Sequence, residues 1–258
     1  LMSDTGGGHR ASAQALQAAF EQYYKDEIEI KIVDMFVEIA GRPFDKFPEG
    51  YSYAAKHPIL WQMMFSYASI PMFKTMTEHI VYYMMGARMR HYISKEKPDL
   101  ILSVHPLCQE IPLRVLKHLG LRDQIKFVTV VTDLGGAHST WFHRDVDALF
   151  VPSQAVYKLA QQCNVDEDKI HMVGLPVRKQ FWKEHRQSKK QMRRMLNMDV
   201  NAPATLIIGG GDGVGSLKPI AIQMAKRLRK DHGSSGAQMV VICGKNKALK
   251  NELDNEPW

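Results

Sequence analysis

The residue types best suited to chemistry stand at the beginning of the chain, where three glycines lead into a histidine. Gly6, Gly7 and Gly8 have no Cβ atom, so their backbone N–H groups can come close to a ligand. The pattern predicts that a helix begins at His9 or Arg10, with its positive dipole end facing the same space. Because that end of a helix disfavours the imidazolium, His9 is biased toward the neutral form that a general base requires. A tight turn whose histidine only caps the helix is the alternative interpretation.

Further polar side chains stand where predicted strands end. Apolar periodicity predicts helices over residues 10–24, 75–95 and 216–230, and strands over 28–34, 98–106, 125–133, 146–151, 169–173, 204–208 and 238–244. Strands that alternate with helices imply a parallel sheet, in which ligands bind beyond the carboxyl ends of the strands. The polar residues expected to share that edge are Asp4, His9, His105, Asp133, His138, Trp141 and His143. Taken singly, each also has a structural interpretation, since His105 can end a strand and Trp141 can belong to the core.

Composition and charge limit the classes of function. A chain of 258 residues is long enough for one or two domains. The formal charge of +7 and the pI near 9.2 favour anionic partners, namely nucleotides, phosphate-bearing substrates or an anionic membrane surface. Cys108, Cys163 and Cys243 show no metal-ligand spacing, which argues against a zinc site or a disulfide framework. No run reaches the roughly 18 apolar residues of a membrane span, and no signal-peptide pattern opens the chain. Because the first residues read as the end of a strand, we expect the natural protein to extend upstream.

Residues 41–73 differ from the rest in being rich in aromatic residues and methionine. One interpretation is an ordinary pair of buried helices. The other is an adaptable apolar surface that lies against lipid, with Lys46, Lys56 and Lys74 near anionic head groups. The sequence leaves both interpretations open.

A change of pattern at residues 174–178 predicts two domains, 1–178 and 179–258. The basic stretch at 185–194 has no interleaved aromatic residues and matches no nucleic-acid module, so we expect no nucleic-acid partner. The glycine-rich loop at 209–215 lacks the Lys-Ser/Thr of a P-loop, although its backbone could hold a diphosphate. With about two predicted strands, the second domain is expected to be incomplete.

Two nucleotide-fold domains, each with a glycine-rich first loop, are typical of the GT-B glycosyltransferases. Several separated motifs closely resemble those of the plant and algal monogalactosyldiacylglycerol synthases. They are the stretch 1–13 with its Gly-Gly-Gly-His, Ser-Val-His-Pro-Leu at 103–107, Val-Thr-Asp-Leu at 131–134, Thr-Trp-Phe-His at 140–143, Gly-Leu-Pro-Val-Arg at 174–178, Gly-Gly-Gly-Asp-Gly at 209–213 and Ile-Cys-Gly-Lys-Asn-Lys at 242–247. The resemblance runs along essentially the whole chain, and such an ordered set is far more specific than one glycine loop.

The resemblance implies an α/β protein of GT-B type that transfers galactose with inversion from UDP-galactose to the sn-3 hydroxyl of 1,2-diacylglycerol. It implies no metal and no permanently bound cofactor. It assigns lipid acceptor and membrane to the first domain and the nucleotide sugar to the second. In that scheme His9 is the catalytic base. The acceptor or lipid side comprises Gly7, Gly8, Pro43, His105, Asp133 and Trp141, and the donor side comprises Gly210, Gly211, Asp212, Gly213, Gly244, Lys245 and Asn246.

The resemblance also implies activation by anionic lipids, such as phosphatidic acid and phosphatidylglycerol, and a peripheral location on the plastid envelope, and it leaves a homodimer open. Residues 57–73 then become a predicted membrane face, tested by changing Phe65 and Phe73 to Ser.

Two departures from plant members concern the stretch 132–138, which has glycines in place of Ser-Thr-Cys, and Lys245, which replaces Arg. Because further donor-domain motifs have no counterpart, this chain alone is expected to be inactive. The alternatives are a related lipid glycosyltransferase that uses UDP-glucose or UDP-N-acetylglucosamine, and a noncatalytic membrane-binding protein.

Overall fold

The computed structural model describes residues 1–258 apart from Gly6, Lys56, 184–186, 210–215 and Ser235. Within helices it leaves the side chains of residues 52, 55, 58, 61, 64, 65, 68, 69, 71 and 74 undescribed. The chain divides into two compact units, Leu1–Trp182 and Lys183–Trp258. The division falls just after the segment 174–178, at which the sequence pattern changes.

The first unit contains a parallel sheet of four strands in sequence order, which confirms the predicted sheet. They are β1 (Leu100–Ser103), β2 (Lys126–Val130), β3 (Ala148–Val151) and β4 (Ile170–Met172). Two backbone hydrogen bonds extend this sheet beyond β1. The Val104 N–H donates to the Leu1 carbonyl at 3.0 Å, and the Met2 N–H donates to the Val33 carbonyl at 3.0 Å. The opening residues therefore lie between β1 and the segment around Val33.

The predicted strand over residues 28–34 is wrong. Only Asp34 takes part in a bridge, with Met2, and the residues before it form no ladder. Alternating apolar residues make a strand only when a partner strand lies beside them to accept their hydrogen bonds. Met2 pairs with this segment through the Val33 carbonyl and the Met35 N–H, so the pairing involves only the last part of the segment.

Helices cover the sheet and connect its strands. They are α1 (Gly7–Tyr24), α2 (Phe47–Ala55), α3 (Pro58–Ser69), α4 (Pro71–Glu96), α5 (Glu110–His118) and α6 (Gln154–Gln162). Two predicted starts are corrected by these bounds. The first helix begins at Gly7 rather than at His9 or Arg10, which places His9 within the first turn. The helix predicted from residue 75 begins at Pro71, because proline at the first helical position has a fixed φ and needs no N–H partner.

The core of the first unit lies between the sheet and its helices. Phe127 and Leu149 on neighbouring strands are completely buried, and Leu116 of α5 packs in the same cluster. Burial of one such side chain contributes roughly 1.5–3 kcal/mol. This core holds the strand ends at fixed positions, which is the property that the functional site needs.

The helices α2–α4 carry an apolar outer face. The large exposed side chains on α3 and α4 are Ile59, Leu60, Met63, Tyr67, Met72, Met76, Ile80, Tyr83 and Met84. The interpretation of residues 41–73 as a buried pair is therefore wrong for Ile59, Leu60, Met63, Tyr67 and Met72, and the structure favours the adaptable surface. Of the lysines expected beside it, Lys46 pairs with Glu49 at 3.1 Å, Lys56 lies outside the described residues, and the side chain of Lys74 is not described. Among the described helices, none is both long and apolar enough to cross a membrane.

The second unit contains the two parallel strands β5 (Ala204–Ile208) and β6 (Gln238–Ile242). Its helices are α7 (Lys189–Met195), α8 (Leu217–His232) and α9 (Lys247–Asp254). Leu217 and Ala221 of α8 and Leu249 of α9 form a small core against one face of the sheet. The mixed α/β architecture with parallel sheets agrees with the fold class expected from the sequence.

Cys108 is predicted to resist alkylation in the folded protein. Its side chain is completely buried, and burial raises the pKa of the thiol to about 12, so neither access nor the reactive thiolate is available at pH 8. Mass spectrometry after maleimide treatment should show modification of Cys108 only when denaturant is present. Cys163, which is partly exposed, is the internal comparison, and labelling of both cysteines at equal rates in the native protein would contradict the prediction.

Candidate active site

His9 is held at the carboxyl edge of the sheet by two neighbouring strand ends. Its Nδ1 lies 2.8 Å from the Val104 carbonyl oxygen, just beyond β1, and 3.2 Å from Oγ1 of Thr132, just beyond β2. A carbonyl oxygen can only accept, so Nδ1 must carry the proton in this bond. The neutral ring then has its lone pair on Nε2. His9 is therefore fixed in the tautomer in which Nε2 can accept a proton from another molecule.

His105 lies directly beside His9 and supports the glycine turn. The two ring centroids are 4.5 Å apart in an edge-to-face arrangement. The backbone N–H of Leu107 donates to Nδ1 of His105 at 3.2 Å, so the ring proton lies on Nε2, which donates to Oγ1 of Thr5 at 2.7 Å. His105 and Thr5 are both buried. This bond ties the residue just before the glycines to the end of β1.

Burial sets the charge of both histidines. Desolvation lowers the pKa of His9, although the Val104 carbonyl and the negative charge of Asp133 act in the opposite direction. Burial lowers the pKa of His105 well below its ordinary value, and the neighbouring His9 adds to this effect. Both rings are therefore neutral at pH 7, as a general base in this position requires.

Trp141 and Asp133 form the far side of the site. The indole N–H of Trp141 donates to Oδ2 of Asp133 at 2.7 Å. The ring centroids of Trp141 and His9 are 5.9 Å apart. Trp141 is the last residue of a short 3-10 helix, Ser139–Trp141. His138 caps the start of this helix, because its Nδ1 accepts the Thr140 N–H at 3.3 Å. The edge of the sheet thus brings His9, His105 and Trp141 together, as the sequence predicted.

Asp34 organises the backbone around the opening turn. Its buried carboxylate accepts the backbone N–H groups of Asp4 at 2.8 Å, Phe36 at 3.0 Å and Val37 at 3.1 Å. The last two bonds cap the π-helix Met35–Ala40. Asp4 in turn pairs with Arg10 of α1 at 2.6 Å. Sequence reasoning missed Asp34, although its position after an apolar run is a recognisable signal for a cap.

Gly7 and Gly8 form the start of α1 beside His9. A Cβ atom built on Gly8 would meet no described atom within 4 Å, so the space over this part of the turn is open. Backbone N–H groups at a helix start can face an anion or an oxygen that gains charge in a reaction. The open turn and the lone pair of His9 are thus available to the same ligand.

Other residues expected at the site lie further from His9. Pro43 follows the π-helix, in a segment whose carbonyls at Ala40 and Arg42 accept from Arg88 of α4. Between this segment and the histidines lies Phe36 of the π-helix, whose ring centroid is 4.6 Å from that of Phe47 and 6.3 Å from that of His105.

His143 points to a different partner, since its Nε2 lies 3.1 Å from Oε2 of Glu110. Sequence reasoning had placed it with the set around His9. Within the described ranges, no group of three or more His, Cys, Asp or Glu side chains is arranged to hold a metal ion.

The donor-side residues belong to the second unit. Gly210, Gly211, Asp212 and Gly213 lie outside the described residues. Gly244 has a φ of +56°, which suits glycine, at the end of β6. Asn246 caps α9, its Oδ1 accepting the Leu249 N–H at 3.0 Å, and Lys245 lies between these two residues. This turn leads from a parallel strand into a helix, the place at which nucleotide-binding sheets hold phosphates.

The mixed α/β architecture with parallel sheets is that of a GT-B glycosyltransferase fragment, and it places a neutral histidine in the first turn of the helix that follows the glycine turn. A family model described as monogalactosyldiacylglycerol (MGDG) synthase matches residues 9–177. The chain belongs to the MGDG synthase family.

Curated relatives agree along the full chain. It is 42% identical over 267 residues to monogalactosyldiacylglycerol synthase 1, chloroplastic, of Arabidopsis thaliana, covering 100% of this chain and 48% of the relative. It is 40% identical over 260 residues to monogalactosyldiacylglycerol synthase, chloroplastic, of Spinacia oleracea, with 100% and 49% covered. The synthase 3 of Arabidopsis thaliana is 39% identical, with 100% and 56% covered. The chain therefore spans about half the length of the curated relatives that it matches.

The stability of the protein should fall as the pH is lowered below about 6.5, where histidines of the unfolded chain take up protons. The folded state holds His105 neutral because its pKa is lowered well below that value, so protons favour unfolding. A His105→Gln variant should show a shallower loss of unfolding free energy between pH 6.5 and 5. The measurement is urea unfolding at several pH values. The exposed His118→Gln variant should keep the parent slope, and equal slopes for all three proteins would contradict the prediction.

Proposed function

We propose that this chain forms the acceptor domain and the beginning of the donor domain of a galactosyltransferase. The reaction is the transfer of galactose, with inversion, from UDP-galactose to the sn-3 hydroxyl of 1,2-diacylglycerol, which gives monogalactosyldiacylglycerol. Membership of the MGDG synthase family supports the reaction. The observation that supports the mechanism most directly is the His9 tautomer, in which Nδ1–H is bound to Val104 and Nε2 carries the lone pair.

The proposed chemistry needs one displacement. Nε2 of His9 takes the proton of the acceptor hydroxyl while that oxygen attacks C1 of galactose. The bond between C1 and the diphosphate oxygen breaks on the opposite face, and UDP leaves with the electron pair. His9 becomes an imidazolium, whose Nδ1–H remains bound to the Val104 carbonyl. No cofactor is consumed, since the nucleotide sugar supplies the activated group.

The acceptor and donor sides follow the two units of the chain. On the acceptor side, domain 1–178, the proposed residues are Gly7, Gly8, Pro43, His105, Asp133 and Trp141. On the donor side, domain 179–258, they are Gly210, Gly211, Asp212, Gly213, Gly244, Lys245 and Asn246. The position of Gly244 and Asn246 at a strand-to-helix turn supports a role for this turn in holding the diphosphate.

Replacement of His9 should abolish most of the transfer. In an enzyme in which this chain continues through a complete donor domain, His9→Ala should lower kcat by roughly 10²–10⁴-fold, because general-base catalysis contributes about that factor. The measurement is incorporation of labelled galactose from UDP-galactose into diacylglycerol on phosphatidylglycerol vesicles.

The matched control is His118→Ala, which removes an exposed histidine at the end of α5 and should leave kcat unchanged. A kcat of the His9→Ala variant within a factor of two of the parent value would rule out His9 as the general base. Transfer from UDP-glucose or UDP-N-acetylglucosamine instead would show that the protein is one of the related lipid glycosyltransferases. Vesicle binding without any transfer would show that it is a noncatalytic membrane-binding protein.

The apolar face of α3 and α4 is the proposed contact with the membrane. Its exposed methionines and aromatic residues form a surface that can adapt to lipid. Anionic lipids such as phosphatidic acid or phosphatidylglycerol are the proposed activators, in keeping with the charge of +7. Because the relatives are named chloroplastic, we place the protein at the plastid envelope, bound peripherally.

Polar substitutions on this face should weaken membrane binding. The triple variant Ile59→Ser, Met63→Ser, Met72→Ser removes three exposed apolar side chains, each able to contribute about 1.5 kcal/mol or more on burial in lipid. Co-sedimentation of this chain with phosphatidylglycerol vesicles should show binding weakened by at least about tenfold. Met195→Ser, which changes an exposed methionine of α7, is the control with unchanged binding. Equal binding of the triple variant and the parent would remove these helices from the membrane contact.

A further inference from the structure

Trp141, one of the proposed acceptor-side residues, lies inside the fold rather than on its surface. Its side chain is 0% exposed, in contrast to Trp182, which is 56% exposed. It packs in the main core cluster of the first unit, together with Phe127 and Leu149. A buried indole can influence a reaction only through the groups that it contacts. Those groups are His9, at 5.9 Å between ring centroids, and the Asp133 carboxylate.

The polar contact of Trp141 determines where the Asp133 carboxylate lies. The indole N–H is a donor only, and it donates to Oδ2 of Asp133 at 2.7 Å. A hydrogen bond to an ionised acceptor is stronger than one between neutral groups, and it restricts the orientation of the carboxylate. Asp133 stands in the loop after β2.

Asp133 follows Thr132, whose Oγ1 lies 3.2 Å from Nδ1 of His9, and its carboxylate is bound by the indole that lies against the His9 ring. Its negative charge favours the protonated form of His9, against the desolvation that favours the neutral form. The other titratable groups around His9 do not supply this effect. His105 is buried and neutral, and Asp4, on the turn before α1, pairs with Arg10 at 2.6 Å. Among the described residues that act on His9, Asp133 is therefore the acidic group placed to compensate a positive charge on the ring.

We propose that Trp141 is a positioning residue, which holds the Asp133 carboxylate beside His9 so that this carboxylate stabilises the imidazolium formed during transfer. The inference rests on the proposed function, which delivers the acceptor proton to Nε2 of His9. The proton stays on His9 until the product leaves. Oδ2 of Asp133 accepts the Trp141 N–H, and the proposed step passes no proton to this carboxylate.

The coupling is tested first without any transferase assay. The 258-residue chain is labelled at histidine with ¹⁵N, and the ring signals are followed by NMR during a pH titration, with His9→Gln identifying the His9 signal. Asp133→Asn keeps the shape and an acceptor oxygen but removes the charge, whereas Trp141→Phe keeps the charge and removes the bond that orients it. Both variants should move the His9 midpoint to lower pH, and the double variant should move it no further than the stronger single one.

The matched control is Trp182→Phe, which makes the same substitution at an exposed tryptophan and should leave the His9 titration unchanged. An unchanged midpoint in Asp133→Asn would overturn the coupling, whatever the stability of Trp141→Phe. A downward shift that appears only in Asp133→Asn would overturn the positioning role of Trp141.

Kinetics then connect the coupling to catalysis. In the enzyme extended through a complete donor domain, both single variants should lower kcat by about 10–100-fold with little change in the KM for diacylglycerol, since the lost interaction acts mainly after proton transfer. A raised KM for diacylglycerol with unchanged kcat would overturn the inference in favour of direct lipid contact. A parent enzyme without any transfer activity would overturn the proposed function, and the NMR result would still decide whether Trp141 and Asp133 act on His9.

Discussion

The hydrogen bond between His9 and the Val104 carbonyl is the constraint on which the rest of the site depends. It places the ring proton on Nδ1 without using a second titratable side chain, so Nε2 carries the lone pair over the whole pH range in which His9 is neutral. A backbone acceptor also fixes the ring to the sheet itself. The surrounding residues fix the rest of the site. His105 binds Thr5 just before the glycine turn, Asp34 accepts the backbone N–H of Asp4, and Asp133 accepts the indole N–H of Trp141.

The register of the sheet determines the positions of these residues. In the register of β1 and β2, Ser103 lies opposite Thr129, so the residues that follow both strands reach the same edge. A one-residue shift in that pairing would turn each side chain to the opposite face. The buried core on both sides of the sheet makes such a shift costly, since it would expose residues such as Phe127. The packing that stabilises the sheet therefore also keeps the residues of the site in position.

Much of this arrangement could be predicted from the sequence, because apolar runs that end in polar residues mark the edge of a parallel sheet. His9 and His105 were found in this way. The tautomer of His9 could not be predicted, since it depends on a backbone carbonyl that has no side-chain signature. The burial of Trp141 depends on how a short loop packs, and the strand expected at 28–34 failed because pairing depends on a neighbour rather than on the pattern itself. The exposed face of α3 and α4 was one of two open interpretations.

The partners of His9 lie far from it along the chain, 95 residues away at Val104 and 123 residues away at Thr132. Contacts of such separation form only after the intervening chain has been closed into a loop, which slows folding. Before these contacts form, His9 lacks the Val104 carbonyl that fixes its tautomer. The ring takes up its fixed position only once β2 has docked beside β1. The orientation and tautomer of this histidine are thus properties of the paired sheet, and a chain in which β1 and β2 are not paired does not have them.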